Sequence, residues 1–238
     1  MKTVRMKKYF FTWMLVSTLA WAQCEISSGT NAPQENTRLY GIAYIFPVGL
    51  EGSPYLYDDW QDGKILLENG ETAERVPIRF NRITNDLVFY NKELLKVFRA
   101  DKATIHSFDF LDPDGKNRLF IKYTGEEVLY RLQKNDLIEV LHEGHISLYV
   151  KHFSEIIASN DLHARDKIHP STFYFLKVGD QTVEVRKNIR SVFRYFPGNK
   201  KEIKKWLAQN QLTRRSEKSF TRLVEWMNTH PENFLFQP

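Results

Sequence analysis

Residues 137–153 read LIEVLHEGHISLYVKHF. Ile146, Leu148 and Val150 alternate with Ser147, Tyr149 and Lys151, the period of a strand with one face turned inward. Residues 137–142 are apolar enough to pair with them, and Glu143-Gly144 supplies the reversal, so the stretch predicts a β-hairpin. Strand patterns accumulate before it and helical patterns after it. The predicted fold is therefore α+β: a hairpin-rich antiparallel β meander followed by a C-terminal cluster of about three short helices.

Working upstream, residues 62–123 keep the two-residue period, with turn residues at short intervals. Residues 64–67 run into Asn69-Gly70, a strong hairpin signal. Val76, Ile78 and Phe80 then alternate, with Arg75, Arg79 and Arg82 nearby, which gives one apolar and one cationic face. Asn85-Asp86 turns the chain back through residues 87–90. His106, Phe108 and Phe110 alternate next, and Asp112-Pro113-Asp114-Gly115 reverses direction into Leu119, Ile121 and Tyr123. An EF-hand alignment with Gly115 at position 6 puts Phe110 at position 1 and Ile121 at position 12, so the bidentate glutamate is missing. Proline followed two residues later by glycine is instead what a type I turn prefers. Residues 125–134 fit a strand or a helical turn equally well.

Downstream, residues 160–170 have loop composition, and residues 173–177 and 182–185 predict another hairpin around Gly179-Asp180. After Lys187 the period becomes helical. Ile189, Val192, Phe193 and Phe196 fall at i, i+3, i+4 and i+7, and Pro197-Gly198 stops that helix. Asn199 with Glu202 predicts a capping-box start for a second helix, with Ile203, Trp206 and Leu207 buried. A third, from Ser216, places Phe220, Leu223, Val224 and Met227 on one face.

The N-terminus predicts export. Lys2, Arg5, Lys7 and Lys8 precede a short apolar run over residues 10–19, and Ala20-Trp21-Ala22 is an A-x-A cleavage site, so residues 1–22 read as a signal peptide. The run is too short against the roughly 20 residues of a spanning helix. The lone cysteine, Cys24, raises lipoprotein processing as an alternative, although Gln23 and Trp21 stand where a lipobox wants a small residue and leucine. It also leaves no internal disulfide and no multi-cysteine zinc site. Residues 23–51 read as a leader whose apolar part, 42–50, docks on the main domain or adds an edge strand broken by Pro47. The β-rich domain then spans 52–186, the helical cluster 187–230 and a tail 231–238.

The chain carries a net charge of +5 and a pI near 9.1, but four of the positive charges belong to the signal peptide, which leaves the remainder near +1. That remainder is polarised: residues 23–186 sum to −6, whereas residues 187–222 hold 11 basic and 2 acidic side chains, net +9. Such asymmetry points to a partner for one half. Lys200, Lys201, Lys204, Lys205, Arg214 and Arg215 are the predicted contacts, for anionic lipid, a glycan or an acidic envelope protein. Export argues against nucleic acid. The plainer alternative makes these solvated helix faces, or a complement to the acidic β part.

In order, the signal peptide, a Gly-Ser-Pro-Tyr-Leu entry at residues 52–56, the meander, the Val-Leu-x-x-Gly hairpin at 140–144, Leu148-Tyr149, the Lys-Lys-x-Ile-Lys-Lys-Trp-Leu helix at 200–207 and a final Trp-Met-Asn helix resemble a family of uncharacterised exported proteins of Gram-negative bacteria. The resemblance spans residues 52–228. It implies export and this order of elements, and it carries over no catalytic residue.

Few residues invite chemistry. Tyr55, Tyr57 and Trp60 beside Asp58 and Asp59 could hold a sugar or a cation, or simply pack a turn onto the sheet. His142 and His145 are weak metal candidates, since their i, i+3 spacing across Gly144 is not the i, i+4 helical spacing of a zincin. No G-x-S-x-G, P-loop or G-x-G-x-x-G occurs, and no cofactor is predicted. The leading expectation is a non-enzymatic envelope binding module. The alternative is a hydrolase of envelope material, dependent on metal or on paired carboxylates.

Overall fold

A computed structural model describes residues 39–45, 49–126, 129–161 and 164–238; the predicted signal peptide and Cys24 lie outside these. The strands are β1 (Gly41–Ala43), β2 (Gln61–Leu67), β3 (Thr72–Asn81), β4 (Asp86–Asn91), β5 (Lys96–Ala100), β6 (Ile105–Leu111), β7 (Asn117–Lys122), β8 (Leu137–His142), β9 (Ile146–Ile157), β10 (Lys167–Val178) and β11 (Gln181–Val185). They form one antiparallel sheet in the order β1-β5-β4-β3-β2-β6-β7-β8-β9-β10-β11. A 3-10 helix, Ile189–Arg194, and the helices α1 (Lys200–Gln209) and α2 (Glu217–Met227) follow. The fold is α+β, as the hairpin at residues 137–153 predicted.

Several boundaries differ from the sequence reading for physical reasons. β9 and β10 pair over twelve residues each, so the sheet reaches into the polar stretch 160–170. Pro170 is accommodated because β11 pairs with only Tyr174–Val178 of β10, so no bond of that ladder is lost at the proline. β5 carries no apolar alternation, since only Ala100 on it is buried; its ladders to β4 and β1 hold it in place. The first helical pattern closes as a 3-10 turn, whose cap is Asn188 Oδ1 accepting from Arg190 N at 3.0 Å. Asn199 does not close the predicted capping box. Its Nδ2 donates instead to Glu202 Oε2 at 3.2 Å and to Asn233 O at 2.8 Å.

Register decides what each face buries, because neighbouring side chains on a strand point to opposite sides. Phe120 stands opposite Glu139, Glu139 opposite Val150, Val150 opposite Tyr174 and Tyr174 opposite Val185, so these share one face. At one end of that face Ile65, Ile78, Phe80, Leu87, Phe108 and Phe120 form a core. At the other, Ile146, Leu148, Tyr174 and Leu176 pack under Ile203, Leu207, Phe220, Leu223, Val224 and Met227 of the helices. The opposite face has a smaller cluster of Tyr123, Leu132, Ile138, Tyr149 and Phe175.

The N-terminal strands coil toward the middle of the sheet. Phe80 on β3 and Phe120 on β7 have ring centroids 4.9 Å apart although β2 and β6 lie between them in the ladder. Asn85, in the turn after β3, accepts from Leu137 N at 2.7 Å and donates to Leu137 O at 2.9 Å. Gly63 permits the tight β2–β3 contact, since a Cβ there would lie 2.3 Å from Ile78 Cδ1. Both ends of α2 are pinned to the sheet. Tyr174 Oη donates to Glu217 Oε2 at 2.8 Å, and Asn228 exchanges hydrogen bonds with the N–H (2.9 Å) and carbonyl (2.7 Å) of Ile146.

Candidate functional site

Between the two cores, on the shared face, runs a row of charges that sequence reasoning did not single out. Arg118 Nε donates to Asp112 Oδ2 at 2.8 Å, and its Nη1 donates to Glu139 Oε1 at 2.7 Å. The other Glu139 oxygen lies 2.6 Å from His152 Nε2, and Tyr57 Oη donates to Asp112 Oδ2 at 3.2 Å. An ionised carboxylate only accepts, so His152 Nε2 carries the proton. The Asp112 and Glu139 side chains are each 1% exposed. Burial pushes both carboxyls up, but the bonds from His152 and Arg118 to Glu139, and from Arg118 and Lys116 N–H to Asp112, outweigh it and hold both below the usual range. Burial pushes the Tyr57 hydroxyl up to about 12.

These contacts explain the sequence around them. Asp112 Oδ1 accepts from Asp114 N at 3.0 Å and Lys116 N at 2.8 Å, and Gly115 has φ 76°, so residues 112–115 form a turn whose first carboxylate is already taken by Arg118. Glu139 and His152 occupy inward positions in otherwise apolar alternation, and that break in phase was the available signal. Ser154, on the same strand face as His152 and 1% exposed, has no hydrogen-bond partner for its Oγ among the described residues.

The predicted aromatic patch is occupied from within. Arg79 lies over the Trp60 ring at 4.4 Å and the Tyr55 ring at 5.1 Å, while Tyr57 turns inward against Phe110 at 5.9 Å. A protein cation therefore holds the place that a ligand cation would take. His142 ends β8 with its Nε2 buried and without a partner among the described residues, and His145 is exposed in the turn. Among the described residues no three His, Cys, Asp or Glu side chains converge as a metal site.

The basic helical segment behaves differently. Lys200, Lys201, Lys204, Lys205, Arg214 and Arg215 are all exposed. Lys200 and Lys204, one turn apart on α1, border a concavity of about 690 Å³ together with Arg214 from the α1–α2 connection. Arg190 and Arg194, from the 3-10 helix and absent from the predicted set, complete it, with Phe193 and Pro197 as apolar lining. Lys201, Lys205 and Arg215 lie outside it. Ile189 N donates to Arg214 O at 3.0 Å, tying the connection to the 3-10 helix. Lys204 Nζ sits 5.9 Å from the Phe193 ring centroid. Among the described residues, none of the five cations lies within 4 Å of a carboxylate, so the acidic sheet does not pair with them.

Compared with known protein families, with curated proteins and with solved structures, the chain matches none.

Proposed function

We propose that the protein is a non-enzymatic, exported binding module that engages an anionic partner of the cell envelope through its C-terminal helical cluster. The observation that carries this reading is the basic concavity: Arg190, Arg194, Lys200, Lys204 and Arg214 converge from three elements with no carboxylate among them. Like charges held together repel one another, and a bound anion removes that cost. Export is read from the sequence of residues 1–22. Among the described residues, no helix is long and apolar enough to cross a membrane. The hydrolase alternative gains no support, because the groups best suited to acid–base work, Glu139 and His152, are buried and bonded to each other.

Co-sedimentation with vesicles tests the reading. Vesicles of phosphatidylglycerol are expected to retain the full chain above the level seen with neutral phosphatidylcholine, and increasingly so as salt is lowered. Changing Lys200, Lys201, Lys204 and Lys205 together to Glu is expected to release it. Equal retention of both proteins on anionic vesicles would remove the basic cluster as the contact.

A further inference from the structure

We infer that the concavity between the 3-10 helix, α1 and the α1–α2 connection is a discrete site for a compact group bearing two or more phosphates. This deepens the anionic-partner reading and rests on it. Basic residues spread around this part of the molecule, and a diffuse charged face would use them all alike. The geometry separates them: Arg190, Arg194, Lys200, Lys204 and Arg214 line one hollow, while Lys201 and Lys205, on the same helix, do not.

Three properties point to phosphate. Two or more guanidinium forks beside ammonium groups suit oxyanions that accept several bonds at once. Five cations with no carboxylate in the lining and no ion pair among the described residues call for more negative charge than a single carboxylate brings, and a phosphate monoester carries about −1.5 to −2 with three acceptor oxygens. The volume, about 690 Å³, falls within the roughly 300–1,000 Å³ of small-molecule sites and is far more than one phosphate fills. Phe193 and Pro197 give the organic part of such a ligand an apolar surface to rest on.

The hollow is also held in shape. Ile189, Val192, Ile203 and Leu207 are buried in the core beneath it, so the elements that carry the cations are anchored from below. The Ile189–Arg214 backbone bond fixes the third wall. Preorganisation of this kind lets several exposed cations act on one ligand without first being gathered.

Two sources supply the chemistry, a soluble phosphorylated molecule or a lipid headgroup with paired phosphates. The experiment compares the full-length protein with two variants of equal charge change, Lys200→Glu/Lys204→Glu inside the hollow and Lys201→Glu/Lys205→Glu outside it. Arg190→Gln/Arg194→Gln probes the hollow from a second element. Titration with inorganic pyrophosphate is the soluble arm; vesicles containing cardiolipin, against vesicles of phosphatidylglycerol at matched charge density, form the lipid arm.

The expected result is a loss of about tenfold or more for both inside variants and less than about twofold for the outside one, in at least one arm. Binding of pyrophosphate with that pattern assigns a soluble ligand. Binding of cardiolipin alone, above phosphatidylglycerol and with the same pattern, assigns a headgroup. Equal losses for inside and outside variants, or equal retention on cardiolipin and phosphatidylglycerol together with no binding of pyrophosphate, would overturn the discrete site and leave the broader reading standing. No binding in either arm would overturn it as well.

Discussion

The protein treats charge in two opposite ways. In the row from Asp112 through Arg118 and Glu139 to His152, every charged group is paired at 2.6–2.8 Å and withdrawn from water. Around the concavity, five cations face solvent and none meets a carboxylate of the described residues. Desolvation explains the contrast. A buried charge without a partner costs several kcal/mol, so those that are buried come in bonded sets, whereas an exposed lysine or arginine stays hydrated and tolerates having no partner. The first arrangement ties two cores together; the second leaves attraction unspent for a ligand.

The largest way to break this contrast is to unpair the buried row. Glu139→Ala leaves His152 and the Nη1 of Arg118 without their partner, with only the Asp112 bond of Arg118 remaining, and is expected to cost about 3 kcal/mol in urea unfolding. Glu139→Gln, which keeps the shape and part of the hydrogen bonding, is expected to cost less. If Glu139→Ala is nearly silent, the row does not hold the cores together.

Acid sharpens the same point. The bonds that Asp112 and Glu139 accept outweigh burial and hold both carboxyls below their ordinary range in the folded state. A lowered carboxyl value means the folded state holds the proton more weakly than the unfolded chain does. The stabilisation is therefore full above the ordinary values and is lost as pH falls through the folded ones. Thermal unfolding should show a midpoint that declines from about pH 5 downward. The decline is expected to be shallower in Glu139→Gln. Parallel slopes in the two proteins would place the acid sensitivity elsewhere.

The smallest expected effect lies at the concavity. Arg190→Gln/Arg194→Gln should leave unfolding within about 0.5 kcal/mol of the parent, because both residues are exposed and neither meets a carboxylate of the described residues. Any shift should be stabilising and should shrink on adding salt, as relief of repulsion requires. A large loss would show that these arginines are structural and would weaken the ligand reading.

The alternation of Ile146, Leu148 and Val150, and the helical spacing of Phe220, Leu223, Val224 and Met227, put these residues in the core without help from their surroundings. β5 was not legible, because its order comes from ladders on both sides rather than from its own pattern. Among candidate residues, the aromatics at 55–60 were visible in sequence, but Arg79, whose guanidinium lies over the Tyr55 and Trp60 rings, comes from β3. Arg190 and Arg194 were counted in the charge of the segment. Their meeting with Lys200, Lys204 and Arg214 depends on how three short elements pack.

What the sequence determined alone is therefore local and periodic: which segments are strands or helices, which face of each turns inward, and that residues 187–222 are cationic. The tertiary structure alone decided which charges meet. Two acids, an arginine and a histidine among many leave no mark in composition, yet the β6–β7 turn and the register of β7, β8 and β9 set Asp112, Arg118, Glu139 and His152 side by side. The concavity has the opposite origin, a charge excess plain in the sequence whose division into lined hollow and open helix face follows from packing. Periodicity is a property of neighbours along the chain, and pairing is a property of neighbours in space.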